Sequence, residues 1–310
     1  GCKLHRFTAD EARQCLQGKT VVFVGDSVTR FQFISLASFL KNGVWADHEQ
    51  RPAGRSSLLS SFKPWPNWYA HASKHFGDTE WCDCYRPNNK QWLGQQTQKQ
   101  LVENRFFYLD SHNISLNLFT SYGAWEMHGH WPPPCFGNVK SPPSGQTCNM
   151  DSLNRANVIK ARGMPSQELF DSWPSVKFDW KGDLAWVLAN VVPRFRPDLM
   201  ILNWGIWGTI MPAVNSPAYA QKVMNAAQDN LCSKGVKCIW KRTTHPKHKP
   251  GSPGPTDAFA ASWYKKFGWE VFDAQTPTSD VSAYTDQFHF LGPVYNELNN
   301  LLINQLCGPK

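Results

Sequence analysis

Short apolar runs alternate along the chain with segments of helical period, and this alternation restricts the available folds more than any other feature. Thr20-Val-Val-Phe-Val24 is a β-branched run ending at Gly25, the pattern of a strand buried on both faces of a parallel sheet. Val28 to Leu40 follows with Phe31, Ile34, Phe39 and Leu40 at helical spacing, and Asn42-Gly43 closes it. Ile114–Phe119 alternates like a strand. Asp183 to Phe195 reads as an amphipathic helix stopped near Pro193, and Leu199–Trp204 as the next strand. Ser216-Pro217 supplies an N-cap with proline in the first turn for a helix that Gly235 ends. Val236–Trp240, Asp257–Phe267, Trp269–Phe272 and a last helix opened by Gly292-Pro293 continue the series. Such a series folds as β-α-β units, giving a parallel sheet with helices on both faces. Reactive groups then gather beyond the carboxyl ends of the strands.

Two stretches break the alternation. Residues 44–105 and 125–182 are rich in Trp, Pro, Ser and Gly and carry Cys82, Cys84, Cys135 and Cys148. They read as long, bridge-stapled loop insertions that form a minor lobe on one domain spanning residues 1–310. With 18% charged and 41% hydrophobic residues the chain can bury a large core, which excludes a disordered protein. Its apolar runs fall far short of the roughly 20 residues of a membrane span. The net charge of +8 is spread along the chain apart from Lys241-Arg242 and Lys247–Lys249. That is a solvated surface or an attraction to an acidic partner such as an anionic polysaccharide. Nucleic acid is not an expected partner, because no basic helix or aromatic RNA-binding pattern appears.

Nine cysteines (Cys2, Cys15, Cys82, Cys84, Cys135, Cys148, Cys232, Cys238 and Cys307) point to an oxidising compartment and are candidates for disulfides. The odd number leaves at least one thiol free or paired outside the chain. Asn113-Ile-Ser115 is the one glycosylation sequon. The expected setting is therefore the secretory route, in the Golgi lumen or outside the cell, with residue 1 starting a mature or trimmed piece that an N-terminal membrane anchor can precede. His128-Gly-His130 lacks the further ligands a metal needs, so no metal site is expected. No phosphate loop or dinucleotide fingerprint is present, so no bound cofactor is expected.

Three motifs fall at carboxyl ends of strands. The first strand runs into Gly25-Asp26-Ser27 and a helix. A serine at such a turn has its hydroxyl presented at the sheet edge, and the Ser27 N–H at the helix start can face an oxyanion. Asp286-Gln-Phe-His289 precedes the last helix, with a spacing that lets the carboxylate fix the imidazole tautomer while the ring accepts a serine proton. Asn203, at the end of Leu199–Leu202, is a candidate side-chain donor to the oxyanion, and Gly123 is a further candidate. Taken singly, each motif reads equally well as a cap or a turn.

The stretch Cys15-Leu-Gln-Gly-Lys-Thr-Val-Val-Phe-Val-Gly-Asp-Ser-Val-Thr-Arg30, with Asp286-x-x-His289 far downstream, resembles the SGNH (GDSL) superfamily. More narrowly it resembles the PC-esterase group, which includes plant trichome birefringence-like polysaccharide O-acetyltransferases and lumenal domains of sialic acid O-acetyltransferases. Trp240-Lys-Arg-Thr-Thr-His-Pro246 is similar to the F-R-T-x-S-P segment of the plant proteins. The resemblance implies a flavodoxin-like α/β/α three-layer sandwich with Ser27 as nucleophile, His289 as base and Asp286 as its orienting partner. The chain departs from the plant D-C-x-H-W-C-L-P-G pattern, having Asp286-Gln-Phe-His-Phe-Leu-Gly-Pro293, and has Asn203-Trp204-Gly205 in place of the bacterial G-x-N-D block.

Fifteen tryptophans suit a sugar ligand, since indole rings stack on pyranose faces. Trp65, Trp68, Tyr69, Trp81, Trp92, Trp125 and Trp131 are loop candidates, while Trp204 and Trp207 stand beside the proposed oxyanion site. Arg30 and Arg242 are candidate glycan contacts or, equally, ion-pair partners. The expected function is carbohydrate O-acetyl transfer through an acyl-enzyme. Acetyl-CoA or another acetylated donor would be the co-substrate, a polysaccharide or glycan the acceptor, and the protein a monomer. An acetylesterase of the same fold and a non-catalytic glycan-binding protein are the alternatives.

Overall fold

A computed structural model of the chain describes residues 4–45, 80–85, 102–123, 126–131, 178–207, 211–247 and 255–308. In chain order the elements are α1 (Ala9–Leu16), β1 (Thr20–Gly25), α2 (Ser27–Asn42), β2 (Glu80–Tyr85), β3 (Val102–Leu109), β4 (Ile114–Thr120), β5 (Met127–Trp131) and β6 (Phe178–Gly182). The series continues with α3 (Leu184–Asn190), β7 (Leu199–Leu202), α4 (Pro217–Asn230), β8 (Lys237–Lys241), α5 (Pro255–Phe267), β9 (Glu270–Phe272) and α6 (Gly292–Cys307).

The main sheet has seven strands in the order β2-β3-β4-β1-β7-β8-β9. The five from β4 to β9 run parallel, and β3 and β2 are antiparallel additions at one side. β1 is central, and its residues divide alternately between two apolar clusters. Val21 and Phe23 pack with α1, α2 and α6, while Val22 and Val24 pack with α3, α4 and α5. This is the physical content of the continuous apolar run: each face of the strand meets a helical layer, so alternation vanishes. α2 is buried without interruption from Val28 to Leu40. It therefore carries Arg30, Gln32, Ser35 and Ser38 inside the protein.

The structure departs from the sequence reading in three ways. Residues 80–85 and 102–105, assigned above to an insertion, are strands of the main sheet, and Cys82 and Cys84 stand on β2. Inward polar groups at Asp83, Glu103, Asn104 and Arg105 mask the apolar period there. The helix expected to run to Phe195 ends at Asn190, and a 3-10 turn covers Val192–Phe195. α1 was not anticipated, although Thr8 and Glu11 form a capping box that the S/T-x-x-E spacing encodes. At the ends of the second interruption, β5 and β6 form an antiparallel pair tied to β3 by Asn104 Nδ2 donating to His128 O at 2.9 Å.

Two disulfides lie among the described residues, Cys15–Cys307 and Cys232–Cys238, as expected of a protein that folds in an oxidising compartment. Cys2, Cys135 and Cys148 lie outside the described residues. No described helix is long and apolar enough to cross a membrane.

Candidate active site

The carboxyl end of β1 passes through Gly25 and Asp26 into α2, whose first residue is Ser27. Asp26 is the N-cap: its Oδ1 accepts from Val28 N–H at 3.0 Å and Thr29 N–H at 3.2 Å. Its backbone oxygen accepts from Arg30 N–H at 2.9 Å, and Oδ2 accepts from Ile206 N–H at 3.2 Å. A single buried carboxylate thus holds the helix start and ties it to the segment after β7. Of the first four helical amides, that of Ser27 alone has no acceptor among the described residues. It is a donor at the positive end of the helix, beside the serine hydroxyl. Gly25 is required for close approach, because a Cβ there would stand 2.4 Å from Thr29 Oγ1.

His289 reaches this turn from the loop before α6. Ser27 Oγ lies 2.6 Å from His289 Nε2. On the other side of the ring, Nδ1 lies 2.7 Å from Asp286 Oδ2. An ionised carboxylate can only accept, so Nδ1 carries the proton and Nε2 is left to accept from the Ser27 hydroxyl. Asp286 is itself fixed, with Oδ1 accepting from Phe288 N–H at 2.8 Å and His289 N–H at 2.9 Å. The loop closes on itself through Thr285 N–H donating to His289 O at 2.8 Å. Phe31, one turn into α2, meets the imidazole edge to face at a centroid distance of 5.4 Å. Burial alone would raise the Asp286 carboxyl, but the hydrogen bond and charge of His289 and the two backbone N–H groups outweigh it. They hold the carboxyl at about 2. Ser27 and His289 are half-buried, with solvent on one side.

The other site candidates fare differently. Asn203 is buried, and both its amide hydrogens are spent, on Lys241 O at 2.7 Å and Thr243 Oγ1 at 3.2 Å. Its Oδ1 accepts from Gly205 N–H at 3.0 Å, so Asn203 holds the turn after β7 and has no donor left for an oxyanion. Gly123 adopts φ 77°, and a side chain there would stand 2.6 Å from Met211 Sδ. The Gly123 N–H has no acceptor among the described residues.

Arg30, expected as a glycan contact or an ion-pair partner, faces inward and is ion-paired. It is 1% exposed, and Nη1 donates to Glu103 Oε2 at 2.8 Å in a buried group with Arg105 and Tyr122. Trp204 is fully buried and packs edge to face on Trp240 at 4.8 Å, so it is core and offers no stacking face. Trp207 is partly buried against Tyr122 at 5.8 Å. Arg242 pairs with Asp273 at 3.3 Å, bonds Gln275, and lines an open groove of about 560 Å³ with Asp257, Tyr264 and Trp269. Trp65, Trp68, Tyr69, Trp92 and Trp125 lie outside the described residues, and Trp81 and Trp131 are known as strand positions only. His128 and His130 stand on β5. Asn113 is exposed in a left-handed conformation, φ 52°.

Three contributors escaped the sequence reading. Asp26 as N-cap is signalled by its residue type at a strand-to-helix turn. Phe31 against the imidazole has no sequence signal. Lys241, part of an apparent surface cluster, is buried, with Nζ donating to Thr29 Oγ1 at 3.2 Å. Its signal is a charged residue closing the apolar strand β8.

No family model matches the chain, and no curated protein matches it.

Proposed function

We propose that this protein is a Ser-His-Asp acyl-transfer enzyme, a carbohydrate O-acetyltransferase of SGNH type built on a flavodoxin-like three-layer sandwich. The observation that carries the reading is the Ser27–His289–Asp286 relay, 2.6 and 2.7 Å long, joining side chains 262 residues apart in the chain. A helix-capping serine and a surface histidine need no such contact.

Ser27 Oγ attacks the carbonyl of an acetyl donor while its proton passes to His289 Nε2. The imidazolium that forms faces the Asp286 carboxylate, and the Ser27 N–H faces the developing oxyanion, with the Gly123 N–H as a second donor. As the donor's C–O or C–S bond breaks, His289 returns the proton to the leaving group, and the acetyl group remains on Ser27. An acceptor hydroxyl then repeats the sequence in reverse and leaves as the acetyl ester. Acetyl-CoA or another acetylated compound serves as donor and a polysaccharide or glycan as acceptor, in the Golgi lumen or outside the cell.

Water in the acceptor's place makes the same residues an acetylesterase. That second reading gains weight because Arg30 and Trp204, two of the expected sugar contacts, are buried. Preference for a sugar acceptor therefore rests on the SGNH and PC-esterase resemblance alone. Incubation with p-nitrophenyl acetate, with and without an acceptor oligosaccharide, separates the two. Acetylated acceptor is the expected product, free acetate alone identifies an esterase, and turnover unchanged in Ser27→Ala overturns the triad. An acetyl adduct on Ser27 in a His289→Ala variant, seen by mass spectrometry, identifies the covalent intermediate.

A further inference from the structure

Directly beneath the Ser27 turn sits a charge that the mechanism above does not use. Lys241 closes β8 and is 1% exposed, and the bond to Thr29 Oγ1 is the only hydrogen bond of its Nζ among the described residues. An ammonium has three N–H donors, and burying it against one neutral acceptor is costly. An apolar side chain would fill the position at lower cost, so fold stability does not account for a lysine here.

Its partners belong to the nucleophile turn. The Thr29 side chain packs on Gly25, and Thr29 N–H donates to Asp26 Oδ1 at 3.2 Å. Asp26 is a carboxylate 1% exposed. Charged groups also stand on the elements around the end of β8. They are Arg30 on α2, Asp257 on α5, Arg242 and Asp273 at the ends of β8 and β9, and Asp286 and His289 before α6. Of these and Asp26, Asp26 is the one whose field bears on the Lys241 ammonium.

We propose that Lys241 is a positioning residue for Ser27. Its charge balances the buried Asp26 carboxylate, and its hydrogen bond pins Thr29. The first turn of α2 is thereby held with Ser27 Oγ against His289 and the Ser27 N–H free for the oxyanion. The inference rests on the Ser-His-Asp reading of the site. Burial pushes the ammonium down to about 8, against the opposing pull of Asp26. Below that pH Lys241 is charged and the turn is held. Above it the proton is lost, Asp26 is left without a counter-charge, and acylation slows.

The test is the pH profile, from 6 to 10, of p-nitrophenyl acetate turnover and of Ser27 phosphonylation by a fluorophosphonate. Wild type, Lys241→Met, Lys241→Arg and Thr29→Val are compared. We expect the wild-type rate to fall on the alkaline side with a midpoint near 8. Lys241→Met is expected to be roughly tenfold or more slower at pH 7, with KM little changed and no alkaline fall. Lys241→Arg keeps its charge throughout and restores the rate past pH 9, because guanidinium does not titrate there. A merely structural lysine would not move the alkaline limb in this way. An alkaline midpoint unchanged in Lys241→Arg, or a wild-type rate in Lys241→Met, overturns the proposal. If Lys241→Met does not fold, Lys241→Arg and Thr29→Val decide it, the latter expected to slow acylation with its packing on Gly25 kept. Absence of Ser27 phosphonylation in the wild type removes the functional reading and this inference with it. Labelled wild type with unaltered variants removes the inference alone.

Discussion

At His289 two hydrogen bonds fix what the ring can do. The Asp286 carboxylate accepts from Nδ1–H, so Nε2 faces Ser27 Oγ as an acceptor. Asp286→Asn keeps an oxygen for the N–H groups of Phe288 and His289, but turns an NH₂ group towards Nδ1. The imidazole must then carry its proton on Nε2, where it can no longer accept from Ser27. We expect kcat to drop by a factor on the order of 10³–10⁴ with the circular dichroism spectrum unchanged. A wild-type rate in this variant would mean that the carboxylate does not set the tautomer. The same carboxylate leaves a mark on stability. Its folded value of about 2 lies below the usual unfolded carboxylate value of about 3.9, so its contribution is full above the latter and lost as pH falls through the former. Acid unfolding followed by fluorescence should therefore be less steep between pH 4 and 2 in Asp286→Asn than in the wild type.

Among the elements, β3 bears on the site from behind. Glu103 is fully buried and accepts from Arg30 Nη1 at 2.8 Å, Arg105 Nε at 3.0 Å and Tyr122 OH at 2.9 Å. Burial would raise its carboxyl, but the two guanidinium groups prevail and hold it below the usual range. Removing one member strands buried charge, so Glu103→Ala should cost about 3–5 kcal/mol in urea unfolding. Replacing Arg30, Glu103 and Arg105 together by Met, Leu and Met should cost far less, since an apolar set of similar volume strands nothing. Equal losses in the two variants would show that packing, not charge balance, sets the cost. This network also explains which elements the sequence concealed. β1, β4, β7 and β8 are legible because most of their buried residues are apolar, and the start of α4 because Ser216 is a cap residue, whereas the cap role of Asp26 at α2 escapes the pattern. β2 and β3 bury Asp83, Glu103, Asn104 and Arg105, and periodicity has no term for a charge satisfied by another charge. The same gap separates the site residues. Ser27 follows from residue type at the end of β1 and Asp286 and His289 from their spacing in the loop before α6, whereas Arg30, Asn203 and Trp204 face inward for tertiary reasons that residue type does not carry.

On the scale of the whole molecule, the triad depends on how the ends of the chain are held. Ser27 opens α2, His289 directly precedes α6, and α1, α2 and α6 pack in one apolar cluster. Cys15 on α1 is bridged to Cys307 at the end of α6, a separation of 292 residues, whereas Cys232–Cys238 spans six. Closing a loop removes entropy from the unfolded chain as the logarithm of its length. The long bridge should then stabilise by about 6 kcal/mol and the short one by about 2 kcal/mol. The long bridge also limits how far α6, and with it the His289 loop, can part from α1. Cys15→Ser/Cys307→Ser should therefore lower the thermal midpoint more than Cys232→Ser/Cys238→Ser. It should also release the C-terminal helix first, as faster amide exchange over 292–307 at temperatures where β1 and β7 stay protected. Ser27 phosphonylation by a fluorophosphonate should decline over the same temperature interval as that exchange sets in. A thermal midpoint equally reduced by the two double variants would mean that loop length does not govern these bridges. Phosphonylation that persists after 292–307 has opened would mean that His289 is held by its own loop, with no dependence on α6.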